Sequence, residues 1–269
     1  MSADDQTSSK PRNKFSIAAA VVAAFVIVGG AGLFWYLNQP VPEEVSLESA
    51  VADIVTSSQP PVDTTDSTAA GDTTETTEAP EVPAGIDGTW TVDTSVGDFS
   101  FEEATSSFLG FRIAEVLASV GSTTAVGRTP EVAGSLTLSG RSITETVIEG
   151  DLSQIVTNAS RRDRAAKGAL ETGTFPIATF TLTRPIDIGA VPAEGEPVIV
   201  TAAGDLEIKG VTQPIEIPIE AQLVGDLIVV VGAVDITFAD WEVELPTSPG
   251  VVSIEDHGIL ELQLFFSRG

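Results

Sequence analysis

Between Gly204 and Ile219 the chain reads "GDLEIKGVTQPIEIPI", and this stretch decides the fold class. Leu206 and Ile208 alternate with acidic neighbours, and after Gly210 and Pro214 a second run places Ile215, Ile217 and Ile219 at the same period of two. A period of two sends successive side chains to opposite faces, so each run is a strand with one dry and one wet face. Gly210 and Pro214 between them mark a hairpin with a loop of about five residues. Pro218 falls on the outward face and cannot donate to a ladder, which predicts an edge or a bulge there.

The same alternation recurs on both sides. Phe99/Phe101, Leu136/Leu138, Phe180/Leu182, Val234/Ile236/Phe238 and Leu260/Leu262/Leu264/Phe266 are flanked mostly by Asp, Glu, Thr, Ser and Lys. Strands with one apolar face each are antiparallel and must close those faces together, as a two-sheet sandwich or as a barrel. Periodicity alone leaves both open. A barrel of about eight strands is either just filled by its side chains or just wide enough for one slender ligand.

The rest of the 269-residue chain is organised differently. Lys10, Arg12 and Lys14 precede "FSIAAAVVAAFVIVGGAGLFWYL", an uncharged run from Phe15 to Leu37 that would be about 34 Å long as a helix, enough to span a bilayer. It ends in Phe34, Trp35 and Tyr36, an interfacial belt, and is longer than the apolar core of a cleaved signal peptide. The reading is an uncleaved anchor, with cleavage as the alternative. No Lys or Arg occurs between Lys14 and Arg112, so the basic flank, residues 1–14, is expected in the cytoplasm and the remainder outside it. Residues 38–87, including "VDTTDSTAAGDTTETTEAPEVPAG", are rich in Thr, Ser, Pro and carboxylates and are expected to be a disordered linker, either a spacer or a solubilising tether. The folded domain is residues 88–269.

Composition excludes several functions. The net charge is −26, and from Gly88 onward 26 Asp and Glu face 10 Lys and Arg, a balance that repels nucleic acid. With no cysteine there are no disulfides, thiolate nucleophiles, Cys metal sites or lipidated Cys. The single histidine, His257 in "SIEDHGILEL", reads as a turn residue, and no GxSxG motif accompanies it. Asn158 starts an "NAS" sequon of a kind common by chance. No catalytic residue, metal site or cofactor is assigned, and the expectation is a non-enzymatic protein.

An ordered set of motifs then carries a resemblance. "WTVD" at Trp90–Asp93, "RRD" at Arg161–Asp163, "FPIATF" at Phe175–Phe180, the stretch from Gly204 to Ile219 and the closing "LELQLFF" resemble the YceI-like family of polyisoprenoid-binding, lipocalin-like proteins. The resemblance runs from about Gly88 to Gly269. It implies an all-β fold, an eight-stranded antiparallel barrel whose apolar lumen holds an isoprenoid tail, in secreted or periplasmic proteins not regarded as enzymes. Candidate lumen residues are Phe99, Phe101, Phe111, Phe180, Phe238 and Trp241, residues of a kind more often found as ordinary core. Before the aromatic–Pro pair, "SRRDRAAKGAL" departs from the family's His–Leu-Arg-Ser pattern and predicts a short helix from about Arg161 to Leu170, with Ser160 as its cap. Its Arg161, Arg162, Arg164 and Lys167 either meet an anionic headgroup at the barrel mouth or pair with the domain's own carboxylates. Two functions stay in view: a membrane-tethered binder of an isoprenoid-like amphiphile, and a structural or adhesive envelope domain with a filled barrel.

Overall fold

The computed structural model describes residues 41–57, 85–103, 105–118, 121–247 and 250–268. The anchor and the cytoplasmic segment read from the sequence, residues 1–14 and 15–37, lie outside these residues. Among the described residues no helix is long and apolar enough to cross a membrane.

The first element is α1, Leu47–Ser57, followed by strands β1 (Gly88–Val92), β2 (Phe108–Leu117), β3 (Gly121–Thr129), β4 (Val132–Ser139), β5 (Ser142–Asp151) and β6 (Val156–Thr157). Helix α2, Ser160–Ala169, separates these from β7 (Ile177–Leu182), β8 (Ile186–Asp187), β9 (Val198–Ile208), β10 (Val211–Val224), β11 (Leu227–Thr237), β12 (Val251–Ile254) and β13 (His257–Arg268). The strands form one antiparallel sheet in which β1-β4-β5-β7-β9-β10-β11-β13 closes on itself through β13 and β1, an eight-stranded barrel. Closure is shared along β13. Phe266–Arg268 pair with β1, whereas Ile259–Gln263 pair with β2, which leads to β3 and β6.

Register sets the faces. On β13, Leu260, Leu262, Leu264 and Phe266 point inward with Val230 and Val234 of β11, while Glu261, Gln263 and Phe265 point outward. The inward sets read from the sequence hold for β4, β7, β9, β10, β11 and β13. Phe99 and Phe101 are the exception: they lie in the loop between β1 and β2, not in a strand. That loop is pinned to the outside of the wall, with Ser107 Oγ accepting from Phe265 N at 3.0 Å and Gln263 Nε2 donating to Ser106 O at 3.1 Å. Backbone partners on β13, not alternation, decide its course.

The hairpin is tighter than its Gly and Pro content suggested. Lys209 and Gly210, with φ of 55° and 74°, make a two-residue turn of the kind whose twist matches the flanking strands. Pro214 and Pro218 lie within β10, which pairs with β11 only from Ile219 to Val224. Both prolines thus fall where β10 has a bare edge, as a residue without an N–H requires.

The expectation of disorder throughout residues 38–87 fails for Val41–Ser57. Leu47, Ala50, Val51 and Ile54 fall on one face of α1 and pack on Val229, Val231 and Phe265 of the outer barrel wall. Ser46 Oγ accepts from Ser49 N at 3.2 Å and caps the helix. An isolated helix this short is marginal in water, so α1 exists because it is docked; burying Leu47 and Ile54 contributes about 1.5–3 kcal/mol each. The wall was prepared for it, since Leu227–Val231 is apolar on both faces.

Candidate functional site: the barrel lumen

Six inward-pointing side chains, Leu109, Phe111, Phe180, Val234, Leu260 and Leu262, are only half-buried although they face the barrel interior. The two ends are packed more tightly. Trp90, Leu136, Leu264 and Phe266 fill one, and Leu206, Ile236, Phe238 and Trp241 the other.

Glycine explains where the large inward residues are accommodated. Phe111 pairs with Gly127 across β2 and β3, and a Cβ at Gly127 would fall 2.5 Å from the Phe111 ring. A Cβ at Gly204 would fall 2.5 Å from the Phe180 ring, and one at Gly150 would fall 2.6 Å from Leu109. Phe111 and Phe180 therefore lie against the bare backbone of the adjacent strand, β3 and β9 respectively, whereas Leu109 meets Gly150 of β5, a strand with which β2 does not pair. Gly258 serves Phe238 in the same way at one end, with 2.6 Å to the ring.

The lining is apolar. Inward positions on the strands carry Leu, Ile, Val, Ala, Gly and Phe, with Thr146 and Gln213 among the few polar ones; Gln213 donates to Asp240 O at 2.8 Å. Glu115 shares the inward face of β2 with Leu109, Phe111 and Ile113, but it is buried and paired with Arg162. An ionised group drawn into such surroundings would be strongly disfavoured without a partner, so the lumen suits an uncharged chain.

The six aromatic residues singled out from the sequence divide into three groups. Phe111 and Phe180 line the lumen wall. Phe238 and Trp241 belong to a 3-10 turn, Phe238–Trp241, that closes one end, where Trp241 Nε1 donates to Leu206 O at 3.0 Å. Phe99 and Phe101 are outside, and Phe101 O accepts from Arg128 Nη1 at 3.0 Å.

The basic cluster is dispersed. Helix α2 begins one residue earlier than read, with Ala159 at the cap position and no side-chain cap; Asp163 instead reaches back to accept from Thr157 N and Oγ1, both at 2.7 Å. Leu170, just past the helix, packs with Phe238 and Trp241, which sets α2 at that end of the barrel. Arg162 is committed to Glu115 and Asn158, whereas Arg161 and Arg164 are exposed and Lys167 is half-buried. At the other end of the family motif, Lys209 Nζ bridges Glu171 at 2.7 Å and Glu242 O at 2.7 Å.

Sequence reading missed a second polar centre, on the outer wall. Glu261 is held between Arg112 Nε at 2.7 Å and Arg128 Nε at 3.0 Å, and all three side chains are buried. Arg112 donates to Pro42 O at 2.6 Å and also to Glu43 O; Arg128 donates to Glu43 O at 2.9 Å and stacks on Phe108 with 4.5 Å to the ring centroid. Burial pulls the Arg128 guanidinium below its ordinary range and the Glu261 carboxylate opposes that shift. In the sequence these are charged residues at outward strand positions, indistinguishable from solvated ones. Elsewhere Glu255, Asp256 and His257 bring donor atoms within 4.8 Å of one another, all exposed, as is ordinary in so acidic a chain.

A closed antiparallel barrel of eight strands around an apolar, partly accessible lumen defines the class: a lipocalin-like barrel. The YceI-like domain family matches residues 90–266, and the chain belongs to it. Among solved structures, a polyisoprenoid binding domain from Saccharophagus degradans, implicated in plant cell wall breakdown, is similar with a TM-score of 0.51 and 19% identity, covering 68% of this chain and 99% of that one. Burkholderia cenocepacia BcnA gives 0.46 and 16%, covering 59% and 95%. A Campylobacter jejuni YceI protein gives 0.43 and 16%, covering 53% and 84%. No curated protein matches the chain.

Proposed function

We propose that the barrel binds the apolar chain of an isoprenoid-like or similar amphiphilic lipid in its lumen, to sequester it or hand it over, and that it does so outside the cytoplasm without catalysing a reaction. The observation that carries this reading is the set of inward apolar side chains left half-buried, with Phe111 and Phe180 set against glycines of the adjacent strands. Membership of the YceI-like family and the polyisoprenoid-binding description of the Saccharophagus degradans domain support it. The alternative, a structural or adhesive envelope domain, needs a barrel filled by its own side chains, and the half-buried inward positions count against that.

The test is native mass spectrometry of the full chain purified gently in detergent, followed by titration with retinol, a neutral isoprenoid alcohol whose fluorescence reports apolar surroundings. One retinol per chain is expected. A chain that carries no lipid and takes up no retinol would sink the proposal in favour of the structural domain. The same titration with a polyprenyl phosphate examines the basic cluster. Replacing Arg161 and Arg164 by Gln is expected to leave both affinities within about twofold, because exposed cations contribute little. A selective loss of phosphate binding would instead make them headgroup residues.

For the location, the proposal rests on the apolar run Phe15–Leu37 with its basic flank at Lys10–Lys14. Protease added to intact cells is expected to yield a fragment beginning within residues 58–84. A fragment seen only after lysis would reverse the orientation.

A further inference from the structure

The family match begins at Trp90, and Val41–Ser57 lies outside it, yet this segment is part of the same compact unit as the barrel. It is held in two ways. Its first residues cap the buried arginines through the carbonyls of Pro42 and Glu43, and its helix buries Leu47, Ala50 and Ile54 on Val229, Val231 and Phe265. Past residues 58–84 the described chain resumes on the same barrel: Gly85 O accepts from Arg268 of β13, and Ile86 O accepts from Trp90 Nε1 at 2.9 Å. Residues 58–84 thus join two segments that both contact the barrel.

We infer that Val41–Ser57 is a non-covalent latch, and that the outer face of β2, β11 and β13 is its docking surface, so that cutting the chain within residues 58–84 leaves the barrel attached to the N-terminal part. The physical reason is the character of the contact. Arg112, Arg128 and Glu261 carry a net positive charge in a buried setting, and the carbonyls of Pro42 and Glu43 accept from it alongside Phe101 O. Undocking strips these donors of partners and bares Val229, Val231 and Phe265, both of which oppose release. A cut in a plain spacer would free the barrel at once. Here a cut is only the first of two steps, and the second is undocking.

The experiment uses the full chain in detergent, immobilised by an N-terminal tag, with a site-specific protease sequence replacing residues 70–76. After cutting, the fragment that carries the barrel is expected to stay on the support through repeated washing and to elute only in denaturant. Ala50→Asp, a change in the latch and not in the barrel, is expected to release the cut fragment at least tenfold faster, because Ala50 has no exposed surface and packs on the wall. Amide exchange on the uncut chain is read in parallel. Slow exchange of the α1 amides, lost in Ala50→Asp while β11 stays protected, supports the latch. Immediate elution of the cut wild-type fragment, α1 amides that exchange at the unprotected rate, or equal release from both proteins would overturn it.

Discussion

Replacing Glu261 by Gln is expected to cost about 3–5 kcal/mol of stability, the largest effect of any single polar substitution in this barrel. The carboxylate sits between two guanidinium groups, with Arg128 fully buried and Arg112 nearly so. Gln keeps the shape and one acceptor but removes the countercharge that the two cations share. Their carbonyl partners at Pro42, Glu43 and Phe101 offer dipoles, which do not replace an ion. For a domain of this size the melting temperature should fall by about 10 °C, measurable by calorimetry. The paired control is the triple replacement Arg112→Met, Arg128→Met and Glu261→Leu, which deletes every charge together. It should recover most of the loss, since apolar residues of similar volume often match or exceed a buried ion network. Equal destabilisation by the single and triple variants would show that the geometry of the network, not its uncompensated charge, supports the wall.

Gly127→Ala is expected to reduce retinol affinity by at least tenfold while destabilising the fold by about 1–3 kcal/mol. The nearest atoms to a Cβ at Gly127 are all in the Phe111 ring, at 2.5, 2.6 and 3.2 Å, so the ring must leave the wall, and the accessible direction is into the lumen. Gly204→Ala would be less clean, because its Cβ also meets the carbonyl of Thr181 at 2.5 Å and would strain the backbone. Adding Phe111→Leu to Gly127→Ala should restore binding by removing the displaced ring. Unchanged affinity in Gly127→Ala would mean that the bound chain does not pass Phe111, and the lumen assignment would have to move away from that part of the wall.

These two experiments address parts of the molecule that were unequally legible. The lumen face of six strands is written into the alternation, because an antiparallel barrel solvates one side of each strand and dries the other. Phe180 could be named for that reason. Phe99 and Phe101 carry the same alternation without being a strand, since two apolar residues spaced by one do not distinguish a ladder from a loop tied to a neighbouring strand. The Gly and Pro residues of the Gly204–Ile219 stretch overstated the loop, because Pro214 is tolerated inside β10 where its edge is bare.

What the sequence by itself determined is six of the strands with their inward faces, the antiparallel fold class, the short basic helix and, through the ordered motifs, the family. Each is a local pattern, fixed by the geometry of the extended chain or by the residues of one segment. How the inward side chains lie was decided only by the tertiary structure, since it depends on Gly127 lying opposite Phe111 and on Gly204 and Gly150 meeting Phe180 and Leu109, contacts that the pattern of no single strand records. The outer wall was decided in the same way. Arg112, Arg128 and Glu261 look solvated in their own strands and become a buried network because β2, β3 and β13 align them and Val41–Ser57 folds over them. Burial is a property of what covers a residue, and here the cover comes from a segment whose composition alone could not hold it in a helix.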